Sequence, residues 1–99
     1  MKIRILKGAK NDLEEGFDFY ERQEPGIGAY FLTSLSSDID SLKLYAGIHP
    51  QTVTGYYRML AHRFPFVIYY KIVEDEIRIY AVLDTRRSPT LHYRRLFSS

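Results

Sequence analysis

The chain has 99 residues, 45% hydrophobic and 26% charged, which is enough for one globular domain over residues 1–99 and too few for a second core or a separate regulatory module. It has no cysteine, which excludes a disulfide staple, a thiolate nucleophile and a cysteine-held zinc and fits a reducing compartment. No apolar run reaches the ~18 residues of a membrane span and residues 1–6 are too short for a signal-peptide core, so a cytoplasmic protein without a membrane partner is expected.

In chain order, residues 2–6 alternate charged and β-branched side chains, as a short strand with one buried face does. From Ala9 to about Glu24, the positions Ala9, Leu13, Phe17 and Tyr20 recur at helical spacing, and Asp12, Glu14 and Glu15 suit an early helical turn. Pro25-Gly26 breaks that helix. A second helix follows with Ile27, Phe31, Leu32, Leu35, Ile39 and Leu42 on one stripe and Ser36, Asp38, Asp40 and Lys43 on other faces. Gly47, Pro50, Thr52, Thr54 and Gly55 mark an irregular connector.

Residues 56–62, 66–73 and 76–83 then read as three strands joined by short turns, Arg63-Phe64-Pro65 and Glu74-Asp75. In the last strand, strict alternation places Ile77, Ile79, Ala81 and Leu83 on one face and Arg78, Tyr80 and Val82 on the other. Residues 88–97 form a final short helix capped by Ser88 with Pro89 at its first position. The predicted fold is α+β: an N-terminal strand, a two-helix hairpin on one face of a mainly antiparallel four-stranded sheet, and a short C-terminal helix. The other face of the sheet is left available.

The formal net charge of +2 hides an asymmetry. Residues 1–45 hold six Lys or Arg and eight Asp or Glu, and residues 46–99 hold eight and four. The last fifteen residues carry Arg86, Arg87, Arg94 and Arg95 and no acid. That predicts a positive surface near the C-terminus, suited to phosphates or an acidic partner, against the plainer alternative of a solvated rim.

No GxSxG, Walker loop, HExxH or GxGxxG occurs. His49, His62 and His92 are too dispersed for a metal site, so no metal or cofactor is expected. His92 alone lies between Arg87 and Arg94 in the basic tail and is the candidate proton shuttle among the three. Tyr56, Arg58 and Leu60 share one strand face, and tyrosine with guanidinium can grip RNA by stacking and phosphate contact; a tyrosine face packed on helices is the structural alternative. Tyr69 and Tyr70 must diverge to opposite faces. Glu14, Glu15 and Asp18 read as a solvated helix face rather than a catalytic carboxylate pair.

The layout, together with residues 55–60 (GYYRML), 64–70 (FPFVIYY) and 81–89 (AVLDTRRSP), resembles the RelE/ParE superfamily of bacterial toxins, with the Arg-Arg-x-Pro ending similar to the ParE-like branch. The resemblance spans nearly the whole chain. It implies the toxin half of a type II toxin-antitoxin module, with growth inhibition and plasmid stabilization as the associated roles and a small cognate antitoxin as partner. RelE-like members cleave messenger RNA in the ribosomal A site, whereas ParE-like members inhibit DNA gyrase.

Metal-free RNA cleavage needs activation of a 2′-hydroxyl, stabilisation of the phosphorane and protonation of the leaving oxygen. By resemblance, Arg58 matches a basic position of the second strand, Arg86 or Arg87 the arginine after the last strand, and Tyr93 or His92 the terminal acid/base. Leu60 and Phe66 depart from the pattern, standing where further basic residues are expected, and Arg63 or His62 compensates only if the register is displaced. Phenylalanine makes no charge-assisted phosphate contact, a loss of about 1.5–3 kcal/mol per bond. The favoured reading is a toxin whose Arg63, Arg86, Arg87, Arg94 and Arg95 bind DNA gyrase or its DNA. The alternatives are a ribosome-dependent endoribonuclease using Arg58, Arg86, His92 and Tyr93, or a degenerate member that retains antitoxin binding.

Overall fold

The structure, a computed structural model, describes residues 1–97. Strand β1 (Lys2–Ile5) points Ile3 and Ile5 inward and Lys2 and Arg4 outward. Helix α1 (Lys7–Gln23) follows at once, because Leu6 is extended and its carbonyl accepts from the Lys10 N–H at 3.0 Å. That start, two residues earlier than the apolar spacing indicates, leaves the first turn of α1 without an acid. It also moves Asp12 onto the buried stripe with Ala9 and Gly16, correcting the reading of Asp12 as a first-turn acid.

The break at Pro25-Gly26 is as predicted. Gly26 adopts φ 97°, a left-handed conformation that favours glycine, and the Glu21 carboxylate accepts from the N–H groups of Gly26 and Gly28. Helix α2 (Ile27–Asp40) then returns along α1, so close that a Cβ on Gly16 would lie 2.4 Å from the Phe31 ring. The stripe of the second helix continues through a separate short turn, α3 (Leu42–Tyr45), whose Leu42 is fully buried.

Strands β2 (Tyr57–Leu60), β3 (Phe66–Val73) and β4 (Glu76–Asp84) form the antiparallel meander, and β1 joins β4 in parallel, giving the order β1-β4-β3-β2. The helical hairpin covers one face through Phe31, Leu35, Ile68, Tyr70, Ile77 and Ile79. Each large apolar side chain buried there contributes roughly 1.5–3 kcal/mol. On this face Tyr20, Phe31, Phe64 and Phe66 meet edge to face or tilted, with ring centres 4.9–6.3 Å apart.

The opposite face is not simply open. Helix α4 (Pro89–Phe97) lies there, with Leu96 packed among Tyr56, Val67, Tyr69, Ala81 and Leu83. The alternation predicted for β4 fails at one residue. Tyr69 pairs with Ala81 and Tyr70 with Ile79, so Tyr80 is an extra residue in the ladder. A bulge of this kind resets the two-residue period. Ile77 and Ile79 therefore face the helical hairpin together with Val82, whereas Ala81 and Leu83 face α4. Tyr69 and Tyr70 diverge as expected. Among the described residues, no helix is long and apolar enough to cross a membrane.

Candidate functional site

The α4 side of the sheet carries the residues that the sequence singles out, and it sorts them. Alternation in β2 sends Tyr57 and Met59 to the helical core and leaves Tyr56 and Arg58 on the α4 side, where Arg58 stands opposite Tyr69 of β3. Arg87 enters from the turn after β4, and Tyr93 from the exposed side of α4, its ring 4.3 Å from that of Phe97. Arg58, Tyr69, Arg87, His92 and Tyr93 line one cleft of about 270 Å³. Arg58 and Arg87 are exposed, and neither forms an ion pair with a carboxylate among the described residues. Among the described residues, no carboxylate lines the cleft.

His92, in contrast, is buried and fully used by the fold. Its Nε2 faces the Asp84 carbonyl at 2.9 Å, and a carbonyl only accepts, so Nε2 carries the hydrogen. Nδ1 then accepts from the Tyr69 hydroxyl at 2.9 Å. The ring ties α4 to the ends of β3 and β4. Tyr56 adds a third tie by donating its hydroxyl to the Leu96 carbonyl at 3.1 Å.

The remaining arginines do not share the cleft with Arg58 and Arg87. The Arg86 guanidinium grips Asp84 with Nε at 2.9 Å and Nη2 at 2.6 Å. Those bonds hold the Asp84 carboxyl below its ordinary pKa and raise that of Arg86, with the charge of Arg87 assisting at Asp84. Arg63 turns to the helical side, where it donates to the Tyr30 hydroxyl at 3.0 Å. Arg94 lies exposed on α4. Arg95 reaches around the sheet edge to α1, donating from Nη1 and Nη2 to the two oxygens of buried Asp12 at 2.7 and 2.9 Å, which raises its pKa. A single basic flank is thus divided into one unpaired arginine pair and several arginines held elsewhere.

Asp12 is the structural residue that sequence reasoning missed. Strand β1 stops opposite Ile79, leaving the outer edge of β4 unpaired beyond it, and Asp12 Oδ2 accepts from the Val82 N–H there at 2.9 Å. Its helical spacing from Ala9 and Gly16 was the available signal. Asp38, expected on a polar face of the second helix, is also buried. It accepts from the His62 backbone N–H at 3.0 Å and lies 2.6 Å from His62 Nδ1, pinning the β2–β3 turn to α2. The other histidine, His49, is hydrogen-bonded through Nδ1 to the buried Tyr70 hydroxyl, which accepts from the Gly47 N–H.

A strand, a helical hairpin, a three-stranded meander and a helix clamped on the outer sheet face over an arginine-lined cleft define the RelE/ParE class of small α+β toxins. A family model described as the ParE toxin of the type II toxin-antitoxin system, parDE, matches residues 3–89. The chain belongs to that family, on the ParE-like side of the superfamily. Among solved structures, a chain of the chromosomal ParDE TA system from P. aeruginosa is similar over 83% of this chain and 92% of that one, with a TM-score of 0.76 and 21% identity, a likeness of fold. No curated protein matches the sequence. The family match ends where α4 begins, so Tyr93, Arg94 and Arg95 lie beyond the matched residues.

Proposed function

We propose that this toxin acts by binding rather than by cutting RNA, with DNA gyrase as its target and a cognate antitoxin as its inhibitor. The observation that carries this reading is the chemistry of the α4-side cleft, which offers two unpaired guanidinium groups while its histidine is committed to the fold. Arg58 and Arg87 can hold an anionic group, but a guanidinium does not take up a proton. His92, the natural acid/base, has both ring nitrogens engaged in anchoring α4. Arg86 is committed to Asp84. Phe66 is in the core, and exposed Leu60 contributes no charge. The free cations favour an acidic antitoxin segment, since complementary charge speeds encounter and fixes orientation.

The convergence of Arg58 and Arg87 with exposed Tyr93 supports a second reading, ribosome-dependent mRNA cleavage. One experiment separates the two. Purified toxin is added to a gyrase supercoiling assay and, in parallel, to translating ribosomes read out by toeprinting. Inhibited supercoiling without A-site cuts is expected, and Arg58→Gln/Arg87→Gln should weaken inhibition at least ~10-fold, the loss of about 1.4 kcal/mol or more of charged contacts. A-site cuts with intact supercoiling would reverse the order of the two readings.

A further inference from the structure

A second basic surface lies at the other end of the sheet, and two local electrostatic rules are broken where it forms. The cross-strand register sets Arg4 of β1 opposite Arg78 of β4, and Arg78 opposite Lys71 of β3. Like charges directly opposite one another destabilise a sheet. Immediately after β1, the first turn of α1 carries Lys7 and Lys10 and no acid, although a helix N-terminus disfavours cations. Arg4, Lys7 and Lys10 line one groove along the β1 edge, and Lys2 of the same strand lines an adjoining groove with Lys43 and Asp40, which pair with each other at 3.1 Å.

The compensation is partial. Glu76 bonds Arg78 at 2.6 Å and lies 3.8 Å from Arg4, its pKa lowered mainly by the Arg78 bond and further by the charges of Arg4 and Lys2. Glu74 and Asp75 border only the Lys2 end, at the β3–β4 turn. Lys71 rests over the Tyr56 ring at 4.3 Å. Lys7 and Lys10 are exposed, with no carboxylate partner among the described residues. Protection of an edge strand against aggregation accounts for Lys2 and Arg4. It does not account for cations on interior strands or on the helix. Proteins break local rules of this kind chiefly at functional or strained sites, and the exposed cations here carry no backbone strain.

We infer that this β1 edge is a DNA-binding surface, engaging the phosphate backbone of a duplex without reading its sequence. A phosphate backbone needs cations spread over a surface and no apolar anchor. A protein partner needs a buried apolar or aromatic centre. Among the described residues, Met1 is the only large exposed apolar side chain that lines the grooves beside β1. The surface is separate from the Arg58–Arg87 cleft, and the inference does not depend on gyrase being the target.

The test is fluorescence anisotropy of a labelled DNA duplex of arbitrary sequence, titrated with purified toxin over a series of salt concentrations. Lys2→Gln/Lys7→Gln/Lys10→Gln should weaken binding at least ~10-fold and flatten the slope of log K against log[salt] by about 2 to 3, since each neutralised phosphate contributes ~0.9. Because Lys7 and Lys10 oppose the α1 dipole, the same variant should melt no lower than the parent. Arg87→Gln/Arg94→Gln should change duplex affinity less than ~3-fold, a cost under about 0.7 kcal/mol. Duplex affinity unchanged in the lysine variant, or lost only in the arginine variant, overturns the inference. Displacement of the duplex by polyglutamate at equal charge concentration, with equal affinity for both, would assign the surface to an acidic protein instead.

Discussion

The Asp12 carboxylate serves donors from two directions, the Val82 N–H on the β4 edge and the Arg95 guanidinium arriving from α4. Removing one partner of a buried ion pair costs about 3–5 kcal/mol, because the other charge is left without compensation. Arg95 is one-third exposed here, so water recovers part of that loss, and Asp12→Ala is expected to cost about 2–3 kcal/mol including the orphaned Val82 N–H. A urea unfolding curve measures it. A midpoint within error of the parent would show that Asp12 carries no structural load.

At the scale of elements, α4 is held by few but varied ties: Leu96 in the apolar cluster, the His92 bridge, the Tyr56–Leu96 hydrogen bond and the Arg95–Asp12 pair. A nine-residue helix does not persist alone in water, so its order comes from these contacts. His92→Ala should therefore raise the amide exchange of residues 91–96 while leaving Ile68, Tyr70 and Ile79 protected. The cost is roughly 1–3 kcal/mol for two lost hydrogen bonds and a vacated buried site. Uniform loss of protection across β3 and β4 would mean that α4 is part of one cooperative unit instead.

The element boundaries also show which local signals were readable. The helical hairpin and its break at Pro25-Gly26 follow directly from apolar spacing and backbone chemistry. The β4 faces do not, since the extra residue at Tyr80 leaves every side chain after it on the face opposite to the one alternation assigns. Nothing in the composition of residues 76–84 marks that bulge. The start of α1 at Lys7 was hidden for a different reason. Leu6 caps it without a polar side chain, so no Ser, Thr, Asp or Asn announces the helix.

For the whole molecule, the pH dependence of stability follows from groups whose pKa differs between the folded and unfolded states. Burial lowers the His49 pKa from its ordinary 6.5. The unfolded chain then binds the proton more readily, so this group's contribution is present above 6.5 and declines as pH falls toward its folded value. Asp84 and Glu76 are lowered chiefly by hydrogen bonds from Arg86 and Arg78. Their contributions are present above the ordinary carboxylate range and are lost as pH falls through the folded values. Burial raises the Tyr70 pKa above 10.0, so its contribution is present below that pH and lost as pH rises further. Melting temperature should be highest between about pH 7 and 9 and fall in two steps on acidification. His49→Gln should remove most of the first step, and a parent protein equally stable at pH 7 and pH 5 would contradict it.

Element types, their order and the toxin-family resemblance were legible in the sequence because each rests on local chemistry: apolar periodicity, turn residues and short motifs. The candidate site was legible only as a set of types. Arg58, Arg87, His92 and Tyr93 do line one cleft, but nothing local told which was uncommitted. Counting charge by halves concealed the basic β1 edge, because the four cations of the first ten residues were averaged with the acids of the helices. Only the tertiary structure set Asp12 against Arg95 across 83 positions of chain, gave His92 to the anchoring of α4, and left Arg58 and Arg87 unpaired. Charges interact through space, and the distance between them is fixed by the packing of the elements, which sequence separation does not encode.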